Sequence, residues 1–145
     1  IIIATSNAGT AFVQEQNKHG ISHEELLSQL LHVELKQYFR PEFLNRFDGI
    51  VLFNALSRED IKKIAGLMFA HIARDMDEKG VTLTATDEAL EFLADAGFDQ
   101  EFGARPMRRA LQEKVENQLA ELLLQGKLKR GSKAIVGSGG QIMVE

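Results

Sequence analysis

Apolar residues recur at helical spacing along most of this chain, and each periodic stretch opens on a recognisable capping signal. Ser22-His23-Glu24-Glu25 has the form of a capping box, followed by Leu26, Leu27, Leu30, Leu31 and Leu35 on one side of a helix. Ser57-Arg58-Glu59-Asp60 repeats the signal, and Ile61, Ile64, Ala65, Met68, Ile72 and Met76 continue at helical spacing up to Gly80, a fitting C-cap. Thr86-Asp87-Glu88 caps a third helix with Leu90, Leu93 and Ala94, stopping at Gly97. Pro106 at a first helical position opens a long helix with Met107, Leu111, Val115, Leu119 and Leu122 inward, ending near Gly126. Between and after these helices the period falls to that of strands. Val81-Thr82-Leu83-Thr84 reads as one, and Lys133-Ala134-Ile135-Val136 and Gln141-Ile142-Met143-Val144 as two more, joined in a hairpin by Gly137-Ser138-Gly139-Gly140.

The first third of the chain is patterned differently. Ile1-Ile2-Ile3 runs into Ala4-Thr5-Ser6-Asn7-Ala8-Gly9 as a buried strand runs into a polar turn. Residues 8–20 are polar and weakly patterned, a loop or short helix; Phe39 to Asn45 forms a short helix around Pro41; Gly49-Ile50-Val51-Leu52-Phe53 reads as a second buried strand. Residues 1–53 thus have the content of the end of a parallel α/β domain, and residues 54–145 that of a small, mostly helical α+β domain with a short sheet. The apolar period changes at 54–57, the expected joint. Ile1-Ile2-Ile3 carries no initiator Met, basic leader or cleavage pattern, so the chain reads as a fragment of a longer protein.

Composition narrows the function classes. With 145 residues, 44% hydrophobic and 26% charged, the chain can bury one ordinary core or two small ones. A formal net charge of −4 argues against a nucleic-acid or anionic-membrane surface as its main business, and no apolar run approaches the ~20 residues of a membrane span. The absence of cysteine removes disulfide and thiolate chemistry and is compatible with a reducing cytoplasm. His19, His23, His32 and His71 lack metal-ligand spacing, and no nucleophilic triad or carboxylate pair stands out, so no metal site is expected. Gly137-Ser138-Gly139-Gly140 is not a phosphate loop, because it joins two strands and no Lys follows.

Three polar positions invite attention. In Tyr38-Phe39-Arg40-Pro41-Glu42-Phe43-Leu44-Asn45-Arg46-Phe47-Asp48, the residues Phe39, Phe43, Leu44 and Phe47 can bury at helical spacing, while Arg40 and Arg46 must face away or meet anions. Arg46 is either an anion contact, suited to phosphate by its planar fork of donors, or a surface ion pair with Glu42 or Asp48. Asn7 is either a turn former or a neutral donor and acceptor at a strand end. Arg105 in Phe102-Gly103-Ala104-Arg105-Pro106 precedes the long helix; with Arg108, Arg109 and Lys114 it forms a basic stretch, but Glu101, Glu113 and Glu116 interleave, so a solvated mixed-charge face is favoured over a nucleic-acid patch.

Taken together, the Thr5-Ser6-Asn7 strand end, the Phe39–Asp48 segment and Gly103-Ala104-Arg105 occur in the order found in the Clp-type AAA+ ATPases, ring-forming unfoldases and disaggregases, and the chain resembles their C-terminal part from Ile1 to about Val136. The resemblance implies Asn7 as the first sensor, Arg46 as an arginine finger reaching the adjacent subunit, and Arg105 as the second sensor, with Ile61 and Ile64 near the adenine. It further implies ATP and Mg²⁺ in the intact parent, a hexameric ring of identical subunits, unfolded or aggregated protein substrates, a cytoplasmic location, and neither nucleic acid nor membrane as partner. A peptidase ring is a further candidate partner. However, the loop where protease-docking members carry an apolar-Gly-apolar tripeptide offers Lys18-His19-Gly20-Ile21, with a histidine in the first apolar place, which weighs against that docking. The alternative from another class is a non-enzymatic helical oligomerisation module whose arginines serve assembly alone.

Half of a nucleotide site is missing from the sequence. No Gly-x-x-x-x-Gly-Lys-Ser/Thr occurs, and no acidic pair follows a hydrophobic strand to hold Mg²⁺, so the chain by itself is not expected to turn over ATP. One charge-assisted contact supplies a net ~1.5–3 kcal/mol, whereas micromolar binding needs ~8 kcal/mol. Titration calorimetry of residues 1–145 with ATP and Mg²⁺ is accordingly expected to show no micromolar site; a dissociation constant at or below that range would refute the assignment.

Overall fold

Side chains that satisfy the first free amides of each helix set where the helices of this protein begin. In the computed structural model, which describes residues 1–99 and 102–145, Cα packing separates two units, Ile1–Asn54 and Ala55–Glu145. The longest helix of the second unit, α4 (Arg58–Glu78), opens on a complete capping box: Ser57 Oγ accepts from the Asp60 amide at 3.2 Å, and Asp60 Oδ2 accepts from the Ser57 amide at 3.0 Å. α5 (Asp87–Ala96) is capped by Thr86 Oγ1, which accepts from the Ala89 amide at 3.2 Å. α6 (Met107–Leu111) passes through a widened π turn, Gln112–Glu116, into α7 (Asn117–Leu124), so the long helix after Pro106 is continuous.

One sheet covers these helices, with β1 (Thr82–Ala85), β2 (Lys133–Val136) and β3 (Ile142–Val144) in the order β1-β2-β3. β1 and β2 are parallel, with Thr82 opposite Lys133, and β2 and β3 antiparallel, with Val136 opposite Ile142. Alternation decides which side is inside: Leu83, Ala134 and Val136 are buried, while Thr82, Thr84 and Lys133 are exposed. The buried side meets Ile61, Ala65, Phe69, Ile72 and Met76 of α4, Ala89 and Leu93 of α5, and the stripe Met107, Leu111, Val115 and Leu119 in one cluster. Phe69 belongs to the same helical period as Ile61 and Ala65 although the sequence reading passed over it. Leu122, read as inward, is half-buried. Gly97 ends α5 in close approach to α6, since a Cβ there would stand 2.7 Å from the Met107 Cα, a backbone atom that cannot turn aside.

The first unit comprises α1 (Thr10–Lys18), α2 (His23–Gln29) extended by a π turn over Leu30–Glu34 and a short 3₁₀ turn over Leu35–Gln37, and α3 (Pro41–Leu44). Leu26, Leu30 and Leu35 form its buried side. Ser22 Oγ accepts from the Glu25 amide at 3.3 Å; among the described residues the return bond of a full capping box is not made.

Two expectations for this unit are corrected. Ile1-Ile2-Ile3 and Gly49–Phe53 are not buried strands: neither segment carries regular structure, Ile2 and Phe53 are 97% and 82% exposed, and every strand of the described residues lies in the second unit. A strand exists only by pairing its amides and carbonyls with a neighbour, and unit 1 supplies none. The aromatic side of the Phe39–Phe47 segment is not buried either. Phe39, Phe43 and Phe47 pack on one another, with ring centroids 5.6 Å and 5.1 Å apart, while Phe43 and Phe47 stay exposed.

Leu111, 2% exposed at the centre of the cluster, is expected to lose ~2–5 kcal/mol of stability as Leu111→Ala, read from the denaturation midpoint. The capping box gives a second measurement. The Ser57 hydroxyl and then its amide hold the Asp60 carboxyl below its ordinary value of 3.8, with a smaller pull from Lys63. A carboxyl depressed in the folded state stabilises above its unfolded value, and the contribution is lost as pH falls through the folded one. The melting-temperature gap between the wild type and Asp60→Asn is therefore expected to narrow from about pH 5 to about pH 2; a gap independent of pH would exclude Asp60 ionisation as its origin.

Candidate functional site

Asn7 lies at the turn that starts α1. Its carbonyl accepts from the Thr10 amide at 3.2 Å and the Thr10 hydroxyl at 2.7 Å, so the backbone has the turn-forming role the local sequence favours. Its side chain is exposed and makes no hydrogen bond among the described residues. Arg46 follows α3, where its amide donates to the Phe43 carbonyl at 3.1 Å. The side chain is exposed and forms no ion pair among the described residues, although Glu42 and Asp48 are close in sequence. Arg40, the N-cap of α3, is exposed likewise. Within the first unit the backbone thus presents Asn7 and Arg46 to solvent, each just beyond a helix end.

In the second unit Arg105 sits in the connection between α5 and α6. Asp99 shapes that connection: its Oδ1 accepts from the Phe102 amide at 2.9 Å, and Asp99 and Gly103 exchange backbone hydrogen bonds at 2.9 and 2.8 Å. The Arg105 guanidinium is exposed and without an ion pair among the described residues, whereas Arg109 is held by Glu113 at 2.8 Å. Glu101, one of the acids expected to interleave here, lies outside the described residues. Ile61, expected near the adenine, is 5% exposed and part of the core; Ile64, one helical turn on, is half-buried against it.

A groove of about 640 Å³ runs between α4 and α5, lined by Arg58, Lys62, Gly66, Leu90, Glu91 and Ala94 among others, and none of the sensor or finger candidates lines it. Lys62 spans it, with Nζ 2.6 Å from Asp87 Oδ2 and 3.0 Å from Glu91 Oε1, and the hydrogen bond to Asp87, then that to Glu91, raises its pKa. Arg58 reaches Asp95 at 3.1 Å alongside. This clamp was not read from the sequence, since Lys62 is 25 residues from Asp87 and only the packing of α4 on α5 brings them together. No group of three or more His, Cys, Asp or Glu side chains among the described residues is placed to hold a metal ion.

The chain thus holds a helical first unit, Ile1–Asn54, and a second unit, Ala55–Glu145, of helices packed on a three-stranded sheet, and comparison with known proteins gives both a family. A family model described as the C-terminal, D2-small domain of ClpB protein matches residues 56–136, and one described as the AAA domain of the Cdc48 subfamily matches residues 1–50. Relatives include the chaperone protein ClpB of Wolinella succinogenes, 42% identical over 99% of this chain and 16% of its own length, and that of Meiothermus ruber, 41% identical over 96% and 16%. The ATP-dependent Clp protease ATP-binding subunit ClpC of Staphylococcus aureus is 37% identical over 97% of this chain and 18% of its own length. The chain belongs to the Clp-type AAA+ chaperone ATPase family, and it spans less than a fifth of the length of these relatives.

Proposed function

We propose that this chain serves an ATP-driven protein unfoldase or disaggregase as the part that senses nucleotide and completes the hydrolytic site of a neighbouring subunit. The observation that carries this reading is Arg46: an exposed arginine, flanked in sequence by Glu42 and Asp48 and paired with neither among the described residues. An arginine without an intramolecular anion is available to one from outside. In phosphoryl transfer the charge spreads over the γ-phosphoryl oxygens, and a positioned arginine lowers that barrier by delivering donors where charge develops. Arg46 acts in trans as the finger, so hydrolysis depends on assembly into a ring, a hexamer in the intact protein. Arg105 acts in cis from the small domain and couples nucleotide state to the angle between the two domains. Asn7 orients the attacking water through its side-chain amide.

ATP and Mg²⁺ belong to the intact protein, and the fit of the residues present is partial. Arg46, Arg105 and Asn7 supply donors suited to phosphate and water, while the cradle for the triphosphate and the carboxylates for the metal are not in this sequence. Ile64, one of the half-buried apolar residues of α4, is the one assigned to the adenine, and Ile61 supports it from the core. His19, exposed beside Glu15 at 3.6 Å, occupies the place of an apolar peptidase-docking residue, which favours a chaperone acting on unfolded or aggregated protein over a protease regulatory subunit. Among the described residues no helix is long and apolar enough to cross a membrane, and a cytoplasmic location accords with the cysteine-free sequence.

The second reading, a purely structural oligomerisation module, draws on the exposed Phe43 and Phe47 beside Arg46. Substitution in the intact protein separates the two. Arg46→Ala is expected to lower ATP turnover by about 10³ while ATP affinity stays within about threefold, because the finger meets the transition state of a different subunit. Turnover retained within twofold in assembled rings would eliminate the catalytic reading, and loss of the ring with intact turnover per assembled subunit would support the second.

A further inference from the structure

Lys127-Leu128-Lys129-Arg130-Gly131-Ser132-Lys133 carries four cations and no acid in a chain whose formal net charge is −4, and it holds none of the residues assigned above. Its conformation is fixed from within. Leu128 is buried at 3%, and the amides of Lys127 and Leu128 both donate to the Leu122 carbonyl, at 2.9 and 3.1 Å. Ser132 closes the turn, its amide donating to the Lys129 carbonyl at 3.0 Å and its Oγ accepting from the Lys129 amide at 3.1 Å. The Gly131 amide then donates to the Gly80 carbonyl at 2.7 Å, and the Thr82 amide to the Ser132 carbonyl at 3.0 Å, which ties the turn to the connection between α4 and β1. Gly80 has φ 78°, and a Cβ on it would stand 2.5 Å from Arg130 Cγ, so the arginine stem lies directly over that connection and Lys79 is beside it.

Lys79, Lys127, Lys129, Arg130 and Lys133 are all exposed, and none is in an ion pair among the described residues. The neighbouring acids are Glu145, which exchanges backbone hydrogen bonds with Lys133 at 3.1 and 2.8 Å, and Asp77 and Glu78 in the last turn of α4. Five like charges held on ordered backbone repel one another, and an anionic partner relieves that repulsion.

We infer that this turn, with Lys79, is a docking surface for an acidic polypeptide segment. Three observations favour carboxylates on a peptide over phosphates on a nucleic acid. The turn amides of Lys127, Leu128, Lys129, Gly131 and Ser132 are spent within the fold, so they form no cradle around a phosphate. Residues 127–145 contain no aromatic side chain on which a base could stack. On the face of the sheet that carries Lys133, Ile135 lies opposite Met143, which is 52% exposed, and this pair gives the aliphatic side chains of a peptide an apolar neighbour.

Fluorescence anisotropy of the 145-residue chain against a labelled peptide of alternating Glu and Leu tests the inference, with single-stranded oligodeoxythymidylate and inorganic polyphosphate titrated in parallel. Saturable peptide binding is expected, weakening about tenfold or more from ~50 to ~200 mM salt. It is expected to fall about tenfold in a Lys129→Gln, Arg130→Gln, Lys133→Gln variant, to persist in Lys129→Arg, Lys133→Arg, and to be unchanged in Arg74→Gln. The melting curve by circular dichroism verifies that the triple variant is folded. Should it melt early, the single substitutions Lys129→Gln and Arg130→Gln are read instead, each with an expected loss of about two- to threefold. No saturable binding of the peptide by the wild type, binding undiminished in the glutamine variants, or tighter binding of the oligonucleotide or polyphosphate than of the peptide would each overturn it.

Discussion

The second unit depends on the inward stripe of the helix that begins at Met107. Met107, Leu111, Val115 and Leu119 are each exposed by 2% or less, and they form the surface on which α4, α5 and the sheet all converge. Interiors packed at crystal-like density leave little room for adjustment, so the ends of the neighbouring elements are fixed by what meets this stripe. Gly97 is where the constraint is tightest, because the backbone of α6 arrives where a side chain would otherwise be. The π turn over Gln112–Glu116 leaves the stripe unbroken, with Val115 fully buried, while the Gln118 side-chain amide donates to the Lys114 carbonyl and, at 2.9 Å, to the Gly140 carbonyl of the turn joining β2 and β3. Helix and sheet are thereby joined by a hydrogen bond as well as by apolar packing.

Among the described residues no polar or charged residue is buried, and the polar candidate site residues are all exposed. Asn7, Arg46 and Arg105 are all exposed at helix ends or connections, where their charge or dipole incurs no desolvation penalty and remains free for an external anion or water. Loops held by well-packed elements can place such groups without burying them. The Asp99–Gly103 backbone exchange and the carbonyl of Asn7 that anchors Thr10 are the local devices that do so.

How much of this was legible in the sequence differs between the two units for a physical reason. Helix periodicity and caps are local properties, and in the second unit Ser57, Thr86 and the Met107–Leu119 stripe do what their spacing predicts. Strand formation is not local. Val81–Thr84 became Thr82–Ala85 with one residue of shift because β2 was present to pair with it, whereas Ile1-Ile2-Ile3 and Gly49–Phe53, with equal or greater β-propensity, stay irregular in a unit that holds no strand to pair with. The same distinction governs side chains: Ile61 was legible as apolar but its depth in the core was not, and the Lys62 clamp required α5 to be in place. Motif order pointed to the family, while the roles proposed for Asn7, Arg46 and Arg105 call for a nucleotide and a neighbouring subunit and so cannot be read from the chain's own packing.

The parallel pairing of β1 with β2 has a consequence for how the small domain is made. Thr82 and Lys133 are about fifty residues apart in sequence, and the crossover between them contains α5, α6 and α7. During synthesis β1 leaves the ribosome as an unpaired strand, and it stays so until the whole crossover and β2 have followed; the β2–β3 contact, by comparison, closes almost at once. Loop closure of that length is slow relative to helix formation. The small domain thus passes through an interval in which α4 and α5 are formed but the sheet is open. Any cut upstream of Lys133 would make that interval permanent.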